Sequence, residues 1–541
     1  MKELMKQRID ALIEKDLNCG VFVGANAAVY RGGECLYSNS FGMADRENGI
    51  PMQEDSIFRI YSMTKPVTAA AVMQLVERGI LEPQMPVSRF IPEFAAPEVY
   101  EPDGTVRPAK SEITIQHLLN MQSGLTYGDR WSLTQKDTAK LFGEMDARRD
   151  GEEPMDTAEF CRRIADIPLQ FDPGTNWDYG VSADILGGVV QAATGMDYRD
   201  YLRENIFLPL CMNDTDFYVP EEKQHRFTAA YAFGEDGLEH DGGCHLGLND
   251  YRTKPVFISG GAGLCSTITD YAKFACALAN GGTSADGVRI LSPKSVEYIR
   301  TPQVPNSMLL PKGWDSLKGY DYGSLVRVLT SKKDFGTLAN LGEFGWDGWT
   351  GTYFTVDPTE NLVILFWIQV ACAGTSETAK LMRNAVYGCL DEIPSKPQNK
   401  KLTIHWSDPL PIKEAIVSEI AQQSGLYYLT RVYGGKETSL YIGKSERNIA
   451  NRIKHHDESW LHDYRGKIFV RIGTITGEKN VTREMVNDAE SGLIFEHGDI
   501  LRENVKKCYH YTYTELYEIA NKGNRFELHP YFRMHDHPDY D

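Results

Sequence analysis

Phe58-Arg59-Ile60-Tyr61-Ser62-Met63-Thr64-Lys65-Pro66 runs straight into Val67-Thr68-Ala69-Ala70-Ala71-Val72-Met73-Gln74-Leu75-Val76-Glu77, and the junction predicts a helix with chemistry on its first turn. Ser62 and Lys65 are three residues apart, so in a helix both side chains point to one side, with the ammonium beside the hydroxyl. A serine hydroxyl is a weak nucleophile until a neighbouring base takes its proton. The run after Lys65 is strongly apolar and reads as a buried helix. A lysine on the first turn of such a helix lies where desolvation and nearby charge lower its pKa. The bland alternative is a cap serine and a solvated lysine, and the bare spacing does not separate the two.

Phe58 to Pro66, continued through Met73-Gln74-Leu75-Val76-Glu77-Arg78-Gly79, resembles the nucleophile segment of serine hydrolases of the class C beta-lactamase, penicillin-binding-protein and related esterase superfamily. The resemblance implies an acyl-enzyme on Ser62 assisted by Lys65. A second phrase, Phe171-Asp172-Pro173-Gly174-Thr175-Asn176-Trp177-Asp178-Tyr179-Gly180-Val181-Ser182, makes a Pro-Gly turn, two aromatics and a helix start near Ser182. Taken alone, Tyr179 is equally a core aromatic. Resemblance to the family's second motif implies that it stands beside the nucleophile and exchanges protons with substrate.

Gly345-Trp346-Asp347-Gly348-Trp349-Thr350-Gly351 resembles the third motif, on the sheet edge beside the serine. The match implies Gly348 as the motif glycine and Trp349 as the source of a backbone N–H that joins that of Ser62 in holding the oxyanion. Two departures bear on substrate: Val181 stands where beta-lactamases and penicillin-binding enzymes usually carry asparagine, and Trp346 where lysine or histidine is usual. Both remove polar groups associated with penicillin recognition. The expected activity is therefore hydrolysis of small esters, or neutral amides, without a cofactor. A beta-lactamase or D-amino acid peptidase or amidase is the alternative, and a non-catalytic penicillin-binding-like scaffold with an interaction module is the non-enzymatic one.

At 541 residues the chain exceeds the size at which a single core keeps growing. Apolar residues make up 42% and charged residues 24%, an ordinary globular composition. The formal charge of -18 opposes broad attraction to nucleic acid or anionic membrane, yet it is uneven: about -16 over residues 1–410 and about -2 over 411–541. No run is long and apolar enough for a membrane span or a secretion signal, and the ten cysteines lack scaffold or metal-ligand spacing, so a cytoplasmic location with reduced thiols and no membrane partner is expected. Residues 21–30 and 34–37 read as a hairpin across Arg31-Gly32-Gly33. His117 reads as structural, inside a helix pattern. The glycine run Ser259-Gly260-Gly261-Ala262-Gly263 lacks the lysine and serine of a phosphate cradle and reads as a close-packed turn before a helix capped by Ser266 or Thr267.

The expected architecture is multidomain α/β. A beta-lactamase/transpeptidase-like domain, with an antiparallel sheet flanked by helices plus a helical lobe, covers residues 1–390. A proline- and lysine-rich linker follows over 391–411, then a small α/β domain over 412–541. In that last part Ser424-Gly425-Leu426-Tyr427-Tyr428-Leu429 and Ser439-Leu440-Tyr441-Ile442-Gly443-Lys444-Ser445 read as two short strands, followed by a helix with Ile449, Arg452, Ile453 and His456 at helical spacing. Together with Glu490 and Asn504 the set resembles a GIY-YIG nuclease domain. The resemblance implies a site of Tyr427, Tyr441, Lys444, Arg452, Glu490 and Asn504 acting on DNA, with Glu490 holding Mg²⁺ or Mn²⁺; a structural or interaction module is the alternative, and self-association is left open. The terminal His529, His535, Asp536, His537 and Asp539 read as a polar tail.

Overall fold

Two glycines make the turn from which the first sheet grows. In the computed structural model, which describes residues 2–149, 151, 153–242, 245–309, 313–390, 400–476, 481–504, 513 and 515–534, β1 (Gly24–Arg31) and β2 (Glu34–Asp45) pair antiparallel. Gly32 and Gly33 between them have φ of 59° and 80°, the left-handed pair that a tight hairpin requires. Strand β2 runs well past its expected end at Tyr37. Ser38, Asn39 and Ser40 hid this, but they lie between Tyr37 and Phe41, both of which are buried.

The sheet is completed by β3 (Ile50–Pro51), β4 (Tyr320–Tyr322), β5 (Arg327–Leu329), β6 (Phe344–Asp347), β7 (Thr352–Asp357) and β8 (Leu362–Trp367). Its order is β4-β5-β6-β7-β8-β1-β2-β3, antiparallel throughout. Strand β8 is buried on both faces: Leu362, Ile364 and Phe366 join one core while Val363, Leu365 and Trp367 join the other, as the period of two demands. The first core is closed by α1 (Lys2–Asn18), through Met5, Ile9 and Ile13, and by the helix Glu377–Tyr387, through Ala379, Met382 and Val386. The second contains α2 (Thr64–Glu77), α3 (Ser182–Thr194) and α4 (Ile268–Ala279). Helix α2 is buried continuously from Thr64 to Leu75, so it is a central helix rather than an amphipathic one.

The chain divides into two units, Met1–Ile393 and Pro394–Asp541. In the second, β9 (Lys400–Trp406), β10 (Leu410–Pro411), β11 (Gly425–Tyr433), β12 (Lys436–Ser445), β13 (Lys467–Thr476), β14 (Tyr517–Gly523) and β15 (Tyr531–Arg533) form one sheet. The order is β12-β11-β13-β9-β14-β15, with β10 beside β13 and a parallel pair at β9 and β14. Two expectations are corrected here. Residues 400–406, assigned to a linker over 391–411, are a strand of this sheet: Leu402, Ile404 and Trp406 alternate into its core, a pattern masked by the surrounding prolines and lysines, while 391–399 lie outside the described residues. The sheet is also larger than a hairpin and a helix. Helices α5 (Ile449–Ser459) and α6 (Arg483–Glu496) supply Ile449, Ala450 and Ile453 to one core cluster of this unit and Val486, Ala489 and Leu493 to another. His535, Asp536, His537 and Asp539 lie outside the described residues, whereas His529 Nδ1 bonds Glu496 Oε1 at 2.7 Å.

Candidate active site

Ser62 lies in a single 3-10 turn, Tyr61–Met63, that feeds α2. Tyr61 before it has φ of 42°, costly for an aromatic residue and sustained only where packing dictates it. That packing is present: the fully buried Tyr61 ring meets Tyr251 and Trp349 edge-on and His245 at a tilt.

Lys65, one turn on, is fully buried. Its Nζ is 3.1 Å from Ser62 Oγ, 3.0 Å from Tyr127 Oη and 2.8 Å from Gly261 O, so each of three donor directions has an acceptor. Burial pushes its pKa down to about 7, with Asp184 and Asp347 pulling the other way. At neutral pH a substantial fraction is the free amine, able to take the serine proton.

Tyr179 is hydrogen-bonded to Ser62, and its Oη accepts from Trp346 Nε1 at 3.0 Å. Burial pushes the phenol pKa up, so Tyr179 is a neutral O–H. Trp346, buried on β6, thus spends its indole N–H on the tyrosine. Next to it Asp347 is met by the buried Arg327 at 2.9 Å and by the Thr375 hydroxyl. A Cβ at Gly348 would collide with Thr352 Oγ1 and Ile60 O; only glycine lets the end of β6 come this close to the Ser62 turn. The Gly348 N–H is used by Thr352 O at 2.7 Å, which leaves the next N–H, on Trp349, as the donor nearest in sequence.

Ser62, Tyr127, Tyr179, His245, Trp314 and Trp349 line a cleft of about 500 Å³. Ser62, Lys65, Tyr179, Gly348 and Trp349 are therefore brought together, with Trp346 behind Tyr179. Sequence reasoning missed Tyr127, His245 and Trp314. Tyr127 stands two residues beyond the serine-glycine turn Ser123-Gly124-Leu125 and was within reach; His245 and Trp314 reach the cleft only through tertiary folding. His117 is structural, its Nδ1 accepting the Thr114 N–H at 3.2 Å in a capping box. The capping hydroxyl of α4 is that of Thr267, which accepts from Asp270 N at 3.2 Å.

In the second unit Tyr427 of β11 and Tyr441 of β12 stack at 6.1 Å; a Cβ on Gly443 would strike both rings. Tyr427 Oη is 2.7 Å from His456 Nε2, and Trp460 Nε1 donates to His456 Nδ1 at 2.8 Å. With Nδ1 an acceptor, the neutral imidazole carries its proton on Nε2 and donates it to Tyr427. Burial drives the His456 pKa down to about 4. Arg452 hydrogen-bonds Tyr427, and Glu490 lies within electrostatic reach of both tyrosines. Sequence reasoning placed His456 on the helix without a role. Lys444 pairs with Glu446 at 3.2 Å. Asn504 clamps the backbone of Ile442 from both sides at 2.9 Å, so its amide works on strand β12.

Comparison with known proteins bears on the first unit. A family model described as Beta-lactamase matches residues 9–384. Protein Rv1367c of Mycobacterium tuberculosis is 34% identical over 399 residues, spanning 69% of this chain and 94% of the relative. Esterase EstB of Burkholderia gladioli is 33% identical over 403 residues, spanning 70% and 94%. Among solved structures, EstCE1, a hydrolase with promiscuous acyltransferase activity, superposes with a TM-score of 0.62 at 24% identity, covering 72% of this chain and 99% of its own. These findings give no support to the GIY-YIG resemblance of the second unit, which rests on its residues alone. Among the described residues no helix is long and apolar enough to cross a membrane.

Proposed function

Because the chain belongs to the beta-lactamase family, we propose that it is a serine hydrolase that cleaves small neutral esters through an acyl-enzyme on Ser62. One observation carries this reading: Lys65 Nζ, 3.1 Å from Ser62 Oγ, is held near neutrality by burial. The free amine takes the Ser62 proton as Oγ attacks the ester carbonyl, and the N–H groups of Ser62 and Trp349 receive the oxyanion. Collapse breaks the ester C–O bond, and the departing alkoxide takes the Tyr179 proton. The proton held on Lys65 passes back to Tyr179. Water, or an alcohol in acyl transfer, then enters by the reverse path and frees Ser62.

Substrate choice follows from what surrounds these groups. Val181 is fully buried and offers no amide, the Trp346 N–H is occupied by Tyr179, and Arg327 is committed to Asp347. The motif residues themselves offer a substrate carboxylate no free cation, and Lys380, which also lines the cleft, lies within electrostatic reach of Asp315; the motif favours neutral esters, and the esterase of Burkholderia gladioli fits that choice. A fluorophosphonate should label the wild type once and Ser62→Ala not at all, and kcat/KM for short esters should exceed that for penicillins. A penicillin turned over faster than every ester would establish the beta-lactamase alternative. Absence of any adduct would favour the non-catalytic scaffold.

For the second unit we infer a metal-dependent phosphodiester site acting on DNA. What supports it is the convergence of Tyr427, Tyr441, Arg452, His456 and Glu490, a polar set that a purely structural module does not require. Glu490 would hold one Mg²⁺ or Mn²⁺, the remaining ligands being water and phosphate; such a hard cation supplies charge stabilisation to a transferring phosphate. Arg452, exposed beside Tyr427, can bind phosphate, and the His456 N–H polarises the Tyr427 oxygen. The full chain should nick supercoiled DNA in Mg²⁺ or Mn²⁺, and Glu490→Ala should not. Equal cleavage by both points to a contaminant, and none by either to an interaction module.

A further inference from the structure

The glycine-rich turn at residues 259–264 lies between α2 and α3 and is bonded to both. Toward α2, Gly260 O accepts from Thr68 Oγ1 at 2.6 Å, Gly261 O from Lys65 Nζ at 2.8 Å, and Leu264 N donates to Thr64 Oγ1 at 3.1 Å. Toward α3, Asp184 Oδ1 accepts from Gly261 N at 3.0 Å and from Ser259 Oγ at 2.5 Å. A Cβ on Gly261 would meet Asp184 Oδ2 at 2.8 Å, so the close approach depends on glycine.

Asp184 stands in the first turn of α3, where the helix dipole suits an acid, but its burial is unusual. It is buried within the helix turn Ala183-Asp184-Ile185-Leu186, whose other members are fully buried and apolar, and its two donors are a hydroxyl and a peptide N–H, neither of which neutralises it. Burying a carboxylate this way is unfavourable. Its nearest use is Lys65, whose one carbonyl acceptor belongs to the residue whose N–H Asp184 holds.

We propose that Asp184 is a positioning residue for Lys65: through Gly261 it fixes the carbonyl against which the amine rests, and its charge sets the pH at which Lys65 becomes a free base. This rests on the reading of Lys65 as the base for Ser62. The groups around Lys65 make the assignment specific. Ser62 and Tyr127 face it as neutral hydroxyls, and Tyr179 with its ring, whose centroid is 4.5 Å from Nζ. His245, whose charge would also act on it, is neutral above about 4 because it is buried. Asp347 is compensated by Arg327 at 2.9 Å. Burial pushes the Asp184 carboxyl up, against the Ser259 O–H, Lys65 and the Gly261 N–H, which favour its ionised form; ionised, it is the principal negative charge and the larger of the two carboxylate influences on Lys65.

The test is the pH dependence of kcat/KM for a p-nitrophenyl ester, measured on the full chain for wild type, Asp184→Asn and Asp184→Glu. Asparagine keeps an oxygen for Gly261 N–H and Ser259 O–H and removes the charge. Without that charge the ammonium is less stabilised, so the free amine persists to lower pH. The acid limb of Asp184→Asn should lie about one pH unit below that of the wild type, roughly a tenfold gain relative to its own plateau at pH well below the limb. Asp184→Glu should keep the wild-type limb even if its plateau falls, a result that a merely structural role does not produce. Should Asp184→Asn fail to fold, Gly261→Ala displaces the carboxylate from the other side and should move the limb in the same direction. Limbs that coincide with the wild type, on activity that Ser62→Ala abolishes, overturn the role of Asp184 alone. Wild-type hydrolysis that survives Ser62→Ala removes the reading beneath it as well.

Discussion

Lys65 shows how one side chain can carry both the chemistry and a cost. Its pKa falls from 10.5 to about 7 through burial, so the amine becomes available as pH rises through about 7. Ester hydrolysis by the wild type should therefore show an acid limb near that pH, read from kcat/KM against pH. The unfolded chain holds the Lys65 proton up to about 10.5 while the folded one releases it near 7, so the unfolded state binds more protons between the two. Stability then rises with pH across that window. Lys65→Met should be inactive, and the stability of the wild type relative to it should climb from pH 7 toward 10.5, measured by urea denaturation at several pH values. At Tyr179, exchange for phenylalanine removes the O–H hydrogen-bonded to Ser62; a loss of about 10²–10⁴ in kcat is expected, with fluorophosphonate labelling of Ser62 slowed less than ester turnover.

At the scale of elements, the site depends on the end of strand β6 touching the turn before α2. Gly348 makes this contact possible, because a Cβ there would run into Ile60 O and Thr352 Oγ1. Gly348→Ala must push the strand end away and misplace the Trp349 N–H. A fall in kcat/KM of about 10²-fold or more is expected, with circular dichroism unchanged. Much of the element layer was legible. The apolar run after Lys65 announces a buried helix, and the Gly32-Gly33 pair announces a hairpin. Strand β9 was not legible, since its alternation of Leu402, Ile404 and Trp406 covers only a few residues and sits among prolines and lysines, where composition argues for a linker. The extension of β2 was hidden for a related reason: the solvent-facing Ser38 and Ser40 look like loop until their partners on β1 are known.

The whole molecule carries two candidate sites in two units, each with its own core clusters: one pair of large clusters built from residues of Met1–Ile393 and another pair from residues of Pro394–Asp541. Chemistry housed in separate cores should be separable by mutation. Glu490→Ala is expected to leave ester kcat/KM within about twofold of the wild type, and Ser62→Ala to leave any Mg²⁺-dependent nicking of DNA intact. Both are read on the same two full-length variants, and loss of both activities in either one would show that the units do not act independently.

Read alone, the chain places Ser62 and Lys65 on one side of a buried helix start, because three residues on a helix are a local relation and burial of α2 follows from its composition; the nucleophile role comes from the resemblance. Tyr179 and Gly348 were located by the resemblance of their short phrases to the family's second and third motifs. Only the tertiary structure decided how these phrases meet, and which residues without any phrase join them. Tyr127 reaches Lys65 across the molecule, Trp346 is seen to serve Tyr179 rather than the substrate, and Asp184 becomes more than an oddity in an apolar helix once Gly261 is found between it and the lysine. The pKa of Lys65 belongs to the same class: it comes from exclusion of water by residues scattered from Ser62 to Asp347, and no local spacing encodes that enclosure.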